Sequence, residues 1–437
     1  MLATDPLATT DSGVVRSYVT LSLARRAERF PDRTAIVDVS EERLYAPAET
    51  IHENRVTYDE LSAMATRTAE HLSALGVETG DIVCLVTRNR VASLALLFAC
   101  RRLEATFFPI SHWLTPASVE RPFDCTDPDL VVSEAAQRDL VRSIPFDRTV
   151  TLDELAEADR DSFEATDGSG GELPLLLLHG DDGRPIVGYS ERALEWNCIS
   201  NLVTWRLSAD DVVPLVTPLS AADGLVRAAL STLYVGGTLL LDRAFDPGDT
   251  LVAVESETAT FLAGRNQSLS DLTAESGFAD RADSLERVVV EGPMEDEVRE
   301  RYREAGVSVA RAYGRLECPT ALSQSLESTD ASSSTAESPT RNATDVGRPV
   351  PDCRVRLRDA DGTVLEGEAT GRLELSGPVV AGGYVNAAGT DDENGDAGAD
   401  VRNELSDDID GRGRFGDGWF ETGERFRRTS KDAYRPQ

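Results

Sequence analysis

Lysine is almost missing from this chain: Lys431 is the single one among 44 basic residues. Against them stand 77 carboxylates, which leaves a formal net charge of -33. So acidic a chain repels phosphate backbones and anionic headgroups, so neither nucleic acid nor a charged membrane surface is expected as a partner. Cysteine is present (Cys84, Cys100, Cys125, Cys198, Cys318, Cys353) but forms no C-x-x-C pair, so neither a zinc site nor a small disulfide framework is signalled. The opening MLATDPLATTDSG lacks a basic segment followed by an apolar one, which excludes a standard signal peptide. No apolar run reaches the roughly 18 residues that would span a bilayer. There is no G-x-S-x-G elbow, which argues against an α/β-hydrolase. His52, His71, His112 and His179 show no metal-ligand spacing, although His179 adjoins a glycine turn where it could contact a ligand. These absences lead to the expectation of a cytoplasmic protein with reduced thiols. Uniform acidity with hardly any lysine also fits a halophilic setting, in which carboxylate surfaces stay soluble in concentrated salt.

What is present points to a folded α/β protein. An apolar fraction of 41% over 437 residues is ordinary for a globular chain of two or three subdomains. Helix is expected over 21–30, 58–75, 93–103 and 115–120, and strand over 34–39, 56–58, 82–87, 106–110 and 130–133. Thr57-x-x-Glu60 is a capping-box match for the second of these helices. Such alternation predicts mostly parallel sheets with helices on their faces. After a polar linker at 157–171, the stretch LPLLLLHGDDGRPIVGYSERAL (173–194) reads as strand, glycine turn and helix. That order can aim backbone N–H groups at an anion, yet Asp181 and Asp182 stand at the apex of the turn. A second α/β block follows, with strands at 212–217, 238–241, 285–290 and 308–312 and helices at 224–234 and 295–304. Beyond Gly347 the pattern turns to β, with strands at 354–358 and 371–376. The expected organisation is a flexible tail (1–13), a first α/β subdomain (14–172), a second (173–325), a mobile loop (326–344) and a smaller β-rich, barrel-like subdomain (345–437) carrying an acidic, solvated insert at 387–413. Gly411-Arg-Gly-Arg-Phe-Gly416 matches G-x-G-x-x-G formally, but no strand precedes it, and chance is the better reading.

Several short motifs occur in a telling order. Gly80-Asp-Ile-Val-Cys-Leu, Leu114-Thr-Pro, Pro218-Leu-Ser-Ala-Ala-Asp-Gly224, Glu291-Gly-Pro, Tyr313-Gly-Arg-Leu-Glu317, Val346-Gly-Arg-Pro and Gly418-Trp-Phe-Glu-Thr-Gly-Glu424 together resemble the adenylate-forming (AMP-binding) superfamily, which includes acyl-CoA synthetases. In that family a carboxylate attacks the α-phosphate of ATP, and a thiol such as CoA then commonly takes the acyl group. The resemblance implies ATP or AMP, Mg²⁺ and CoA as cofactors. It implies a nucleotide site of Gly180, Asp181, Asp182, Gly183, Glu291, Gly292, Pro293, Tyr313, Gly314 and Glu424, with Tyr313 on the adenine and Glu424 on the ribose. Glu317 would hold the metal and serve as the catalytic carboxylate, while Ala221 and Gly224 would belong to the acyl site.

The departures from the family pattern shape the functional expectation. Where the phosphate loop has hydroxyl residues and a lysine, this chain has Asp181, Asp182 and Ile186. Those aspartates either face water or join a nucleotide in holding a metal. Leu316 stands for the motif's threonine, Ser220 and Ala221 for an aromatic–histidine pair, and Glu424 for an aspartate. The chain stops at Gln437, where the family enters its mobile lid, and Lys431 is a poor substitute for the lid's lysine. The expected protein is an acyl-CoA synthetase-like N-terminal domain, degenerate, without complete adenylating activity, that retains at most nucleotide or acyl-adenylate binding. The alternatives are half of a split ligase completed by a separate lid chain, and a non-catalytic regulatory or scaffold protein.

Overall fold

The computed structural model describes residues 21–40, 55–144, 146–161, 173–326, 345–385, 405–406, 408–409 and 413–437. The tail at 1–13, most of the linker, the stretch 327–344 and most of the acidic insert lie outside the described residues.

The described residues form two mixed, mostly parallel sheets and one antiparallel sheet, with helices packed against them. The nine-stranded sheet runs, edge to edge, through Arg348–Pro349, Cys318–Ser323, Ser308–Arg315, Arg287–Glu291, Phe261–Arg265, Val212–Leu215, Thr238–Leu241, Thr34–Asp38 and Arg55–Thr57. Its inner strands are parallel, and antiparallel strands close both edges. The eight-stranded sheet runs through Leu405–Ser406, Gly383–Val385, Ile186–Tyr189, Leu176–His179, Thr106–Ser111, Ile82–Thr87, Leu130–Ser133 and Thr149–Thr151. Strands such as Ile82–Thr87, buried at every position, are apolar throughout because helices cover both faces of a parallel sheet. The third sheet, built on Arg354–Arg358, Ala369–Ser376, Gly413–Gly416 and Trp419–Arg428, is antiparallel throughout. Its strand path is open among the described residues.

Sheet membership crosses the division expected at 172/173. Thr34–Asp38 pairs with Thr238–Leu241, and Leu176–His179 pairs with Thr106–Ser111. Buried polar contacts lock the two large sheets together. Glu134, which follows Leu130–Ser133, receives the guanidinium groups of Arg90 and Arg243, and Arg243 follows Thr238–Leu241. Asn89 adds two bonds across the same seam, to the Asp242 carbonyl at 3.1 Å and from the Leu219 N–H at 2.8 Å.

Three local expectations need correction. The glycine turn does not lead into a helix. It closes an antiparallel hairpin, and the helix Glu191–Trp205 starts only after the second strand, capped by Ser190. A strand is read poorly from Pro185-Ile-Val-Gly188 because proline and glycine both weaken strand patterns. The helix expected at 115–120 lies instead at Glu120–Cys125. Thr115 and Ser118 bond each other's side chains and backbone, which forms a turn and delays the helix. The acidic insert is not wholly loop, since Leu405–Ser406 and Asp408–Ile409 pair as short strands.

Candidate functional site

The hairpin turn brings the site's first residues into position. Gly180 N–H donates to the Pro185 carbonyl at 2.9 Å, and Gly183, at φ +93°, donates to the Gly180 carbonyl at 2.9 Å. A Cβ at Gly180 would meet the Arg184 carbonyl oxygen at 2.5 Å, so the tightness of the turn requires glycine. The second strand, four residues long, sets the helix N-terminus roughly 13 Å beyond the turn. A helix dipole acts within about one turn of its end, so the helix gives this loop no anion-binding assistance.

A cavity of about 270 Å³ opens beneath the turn, lined by Gly180, Asp181, Ala221, Glu291, Glu317 and Leu316, together with Asp223 and three arginines, Arg227, Arg265 and Arg315. Five of the sequence-predicted residues thus share one space. Tyr313 and Glu424 stand beside it, joined by a 2.9 Å bond from the tyrosine hydroxyl to a carboxylate oxygen. Gly314 lies between them and the cavity: a Cβ there would sit 1.9 Å from the Pro319 carbonyl oxygen and 2.9 Å from Arg227 Nη2. Gly224 is likewise structural, because its Cβ would meet the Pro218 carbonyl oxygen at 2.1 Å. Asp182, Gly183, Gly292 and Pro293 do not reach the cavity. Asp182 faces outward onto Arg121 at 3.1 Å, Gly183 packs against Pro122, and the Gly292 carbonyl accepts from Arg311.

The three arginines are what sequence reading passed over. Arg227, 1% exposed, donates to Glu291 at 2.6 Å, to the Thr320 hydroxyl at 3.3 Å and to the Pro319 carbonyl. It is the lone charge in the apolar run Gly224–Val235, and that was its signal in the sequence. Arg265 grips Asp223 at 2.9 and 3.3 Å and comes within 3.9 Å of Asp181. The three surrounding carboxylates, Asp223 first, hold its charge firmly. So the turn's missing cation is answered from another strand, where no local motif could reveal it. Arg315 lies inside the Tyr313–Glu317 motif. Its Nε reaches Glu317 at 3.3 Å and its Nη1 binds Glu424.

Glu317, 3% exposed along its side chain, also accepts from the Tyr384 hydroxyl at 2.8 Å. Both of its oxygens are therefore engaged, one by a phenol and one by a guanidinium. The residues present do not fit a magnesium ion there. A doubly charged ion about 4 Å from the Arg315 guanidinium would meet a repulsion of roughly 8 kcal/mol at an effective dielectric of 20, and the carboxylates that would offset it, Glu317 and Glu424, are already held by Arg315. Among the described residues, no group of three or more histidine, cysteine or carboxylate side chains is arranged to hold a metal. Tyr313 packs edge-on against Phe426, ring centroids 4.9 Å apart, and burial together with Glu424 drives its phenol pKa upward. His179 is spent internally, its Nδ1–H donating to the Gly180 carbonyl at 2.7 Å and its Nε2 accepting from the Ser111 N–H at 3.0 Å. Burial lowers its pKa and keeps the ring neutral, so it braces the turn.

Comparison with known proteins bears on family and fold. The profile of the AMP-binding enzyme family matches residues 23–175 and 187–385. A feruloyl-CoA synthase from Amycolatopsis is 30% identical over 267 residues, 60% of this chain and 54% of that protein. The chain thus spans about half the length of that relative. An indoleacetate–CoA ligase from Aromatoleum aromaticum is 29% identical over 355 residues, 76% of this chain and 68% of that protein. Among solved structures, the N-terminal domain of FACL13 from Mycobacterium tuberculosis superposes with a TM-score of 0.77 at 20% identity, covering 95% of this chain and 98% of that one. The o-succinylbenzoate CoA synthetase of Bacillus subtilis, solved with ATP and magnesium, gives 0.74 at 20% identity over 95% of this chain and 78% of that one. These two show a shared fold. Among the described residues, no helix is long and apolar enough to cross a membrane. With motif order, fold and family profile in agreement, the chain belongs to the AMP-binding, adenylate-forming family and has the fold of an N-terminal domain of that kind.

Proposed function

We propose that this chain binds the adenosine portion of a nucleotide or acyl-adenylate and does not by itself carry out complete carboxylate adenylation. One observation carries the reading: the Arg315 guanidinium lies between Glu317 and Glu424, the two carboxylates that the family motif would give to a metal and a ribose. A resident organic cation stands where the exchangeable metal would sit at Glu317, and its charge is already shared between Glu317 and Glu424. The turn works in the same direction, since Asp181 is 93% exposed along its side chain where a phosphate would approach. A carboxylate this exposed opposes a phosphate charge about 4 Å away by about 1 kcal/mol at the dielectric of water. The adenosine end is less altered, because Tyr313 stays beside Glu424 at the cavity's edge.

The experiment is ATP–pyrophosphate exchange by this chain with a panel of aryl and aliphatic carboxylates, run in molar KCl to respect its acidity, alongside thermal melts with AMP. The expected outcome is no exchange above background and a melting midpoint that rises with AMP, since a ligand of the native state stabilises it. Robust magnesium-dependent exchange would overturn the loss of activity. A midpoint indifferent to AMP and to a non-hydrolysable acyl-adenylate would overturn the binding half and leave a scaffold role.

A further inference from the structure

A second cavity, of about 200 Å³, lies on a different part of the eight-stranded-sheet lobe, between the helices Tyr58–Ala74, Val91–Leu103 and Leu152–Glu157. Its walls follow from helical spacing. Met64, Arg67, Thr68 and His71 form one stripe of the first helix, and Ala92, Ala95 and Leu96 form the facing stripe of the second. Alanines at two of those positions leave the space that larger side chains would fill. Leu152 and Leu155 close the floor, and Arg160 stands at the rim opposite Arg67.

The chemistry of this lining is amphipathic and of one sign. Arg67 and Arg160 have no hydrogen-bond or ion-pair partner among the described residues, in a chain where most arginines are paired. Among the described residues no carboxylate lines the cavity, although Glu70, Glu157 and Asp159 sit close by in the same segments. His71 is 6% exposed; its Nδ1–H donates to the Asp159 carbonyl at 3.1 Å, and its other ring nitrogen has no partner among the described residues. A buried imidazole, an apolar floor and two exposed guanidinium groups at the mouth, neither with a partner among the described residues, make the lining amphipathic and cationic. The volume lies below that of drug-sized pockets, so the occupant is small.

We propose that this cavity binds a small amphipathic monocarboxylate, with the aryl or alkyl body on Leu96, Leu152 and Leu155 and the carboxylate at Arg67 and Arg160. The site is separate from the cavity beneath the hairpin turn and does not depend on whether adenylation occurs.

The test uses the full chain and 4-fluorophenylacetate, followed by fluorine NMR titration, with 4-fluorophenethyl alcohol as the uncharged counterpart. Saturable binding of the acid is expected, with the alcohol at least about tenfold weaker. Arg67→Glu with Arg160→Glu, both at exposed positions, should weaken the acid by about tenfold or more, and Ala92→Trp should abolish its binding. Thermal melts check that each variant folds. Ala221→Trp, which fills the other cavity, should leave the titration unchanged. Absence of saturable binding below about 10 mM, equal binding of acid and alcohol, or loss in Ala221→Trp with Ala92→Trp unaffected would each overturn the proposal.

Discussion

Two hairpins meet at the candidate site, and both match carboxylates with arginines, but at very different depths. In the turn between Leu176–His179 and Ile186–Tyr189, Asp181 and Asp182 face Arg265 and Arg121, side chains that are all about half exposed or more. In the hairpin between Ser308–Arg315 and Cys318–Ser323, Glu317 is buried beneath Arg315 and Tyr384. Exposed pairs are screened and contribute about 0–1 kcal/mol, whereas breaking a buried pair costs about 3–5 kcal/mol. The turn can therefore lose its acidic character at little cost to the fold, while the Glu317 side is bound into the fold itself. Two segments that both look like site residues in the sequence thus differ in kind.

Substitutions at each hairpin test that contrast. Arg315→Ala strands the buried Glu317 and should lower unfolding free energy by about 3 kcal/mol in a denaturant titration; a loss below about 0.5 kcal/mol would place Arg315 among the dispensable surface charges. Gly314→Ala pushes a methyl into the Pro319 carbonyl and Arg227 and should cost about 1–3 kcal/mol, read in the same titration. The pH profile should be smaller in effect. Since burial lowers the pKa of His179 in the folded state, the unfolded chain binds the extra proton first as pH falls. His179 therefore contributes stability that is present above the ordinary histidine value of 6.5 and is lost as pH drops through and below it. His179→Gln should flatten that part of the melting-midpoint curve, and an unchanged slope between roughly pH 7 and 5 would remove His179 from the account. Smallest of all, Asp181→Ala should alter stability by under about 0.5 kcal/mol, and calorimetry should show its tighter binding of ATP relative to AMP.

Much of the scaffold was legible in the order of residues alone. The capping box at Thr57 and Glu60 forms as read, with reciprocal bonds of 2.7 and 3.2 Å, because it is a purely local side-chain-to-backbone exchange. Ile82–Thr87, Leu130–Ser133 and Thr238–Leu241 fall where apolar runs placed them, since strands buried on both faces have no polar alternation to blur their limits. Phe261–Arg265 and the helices Pro247–Ser256 and Asn266–Ala274 were not anticipated, being short and, in the strand, interrupted by Gly264. The site was legible as a set of positions and illegible as a set of contacts. Asp181, Glu291 and Glu317 could be named from motif order, and Glu317 has its partner Arg315 two residues away, but Asp181 and Glu291 draw theirs, Arg265 and Arg227, from a strand and a helix far away in the chain. Pairing of that kind is decided by tertiary packing, and residue spacing carries no record of it.

The seating of Thr34–Asp38 beside Thr238–Leu241 has a consequence for biosynthesis. Ile36 finds Leu239 only after roughly 200 further residues have been made, which at about 5–20 residues per second takes roughly 10–40 s. During that interval the apolar strand Ala35-Ile-Val37 leaves the ribosome without its neighbour, an invitation to premature pairing with other nascent chains. Its opening segment is the part of the molecule with most to gain from a chaperone, and slowing translation should lengthen that dependence.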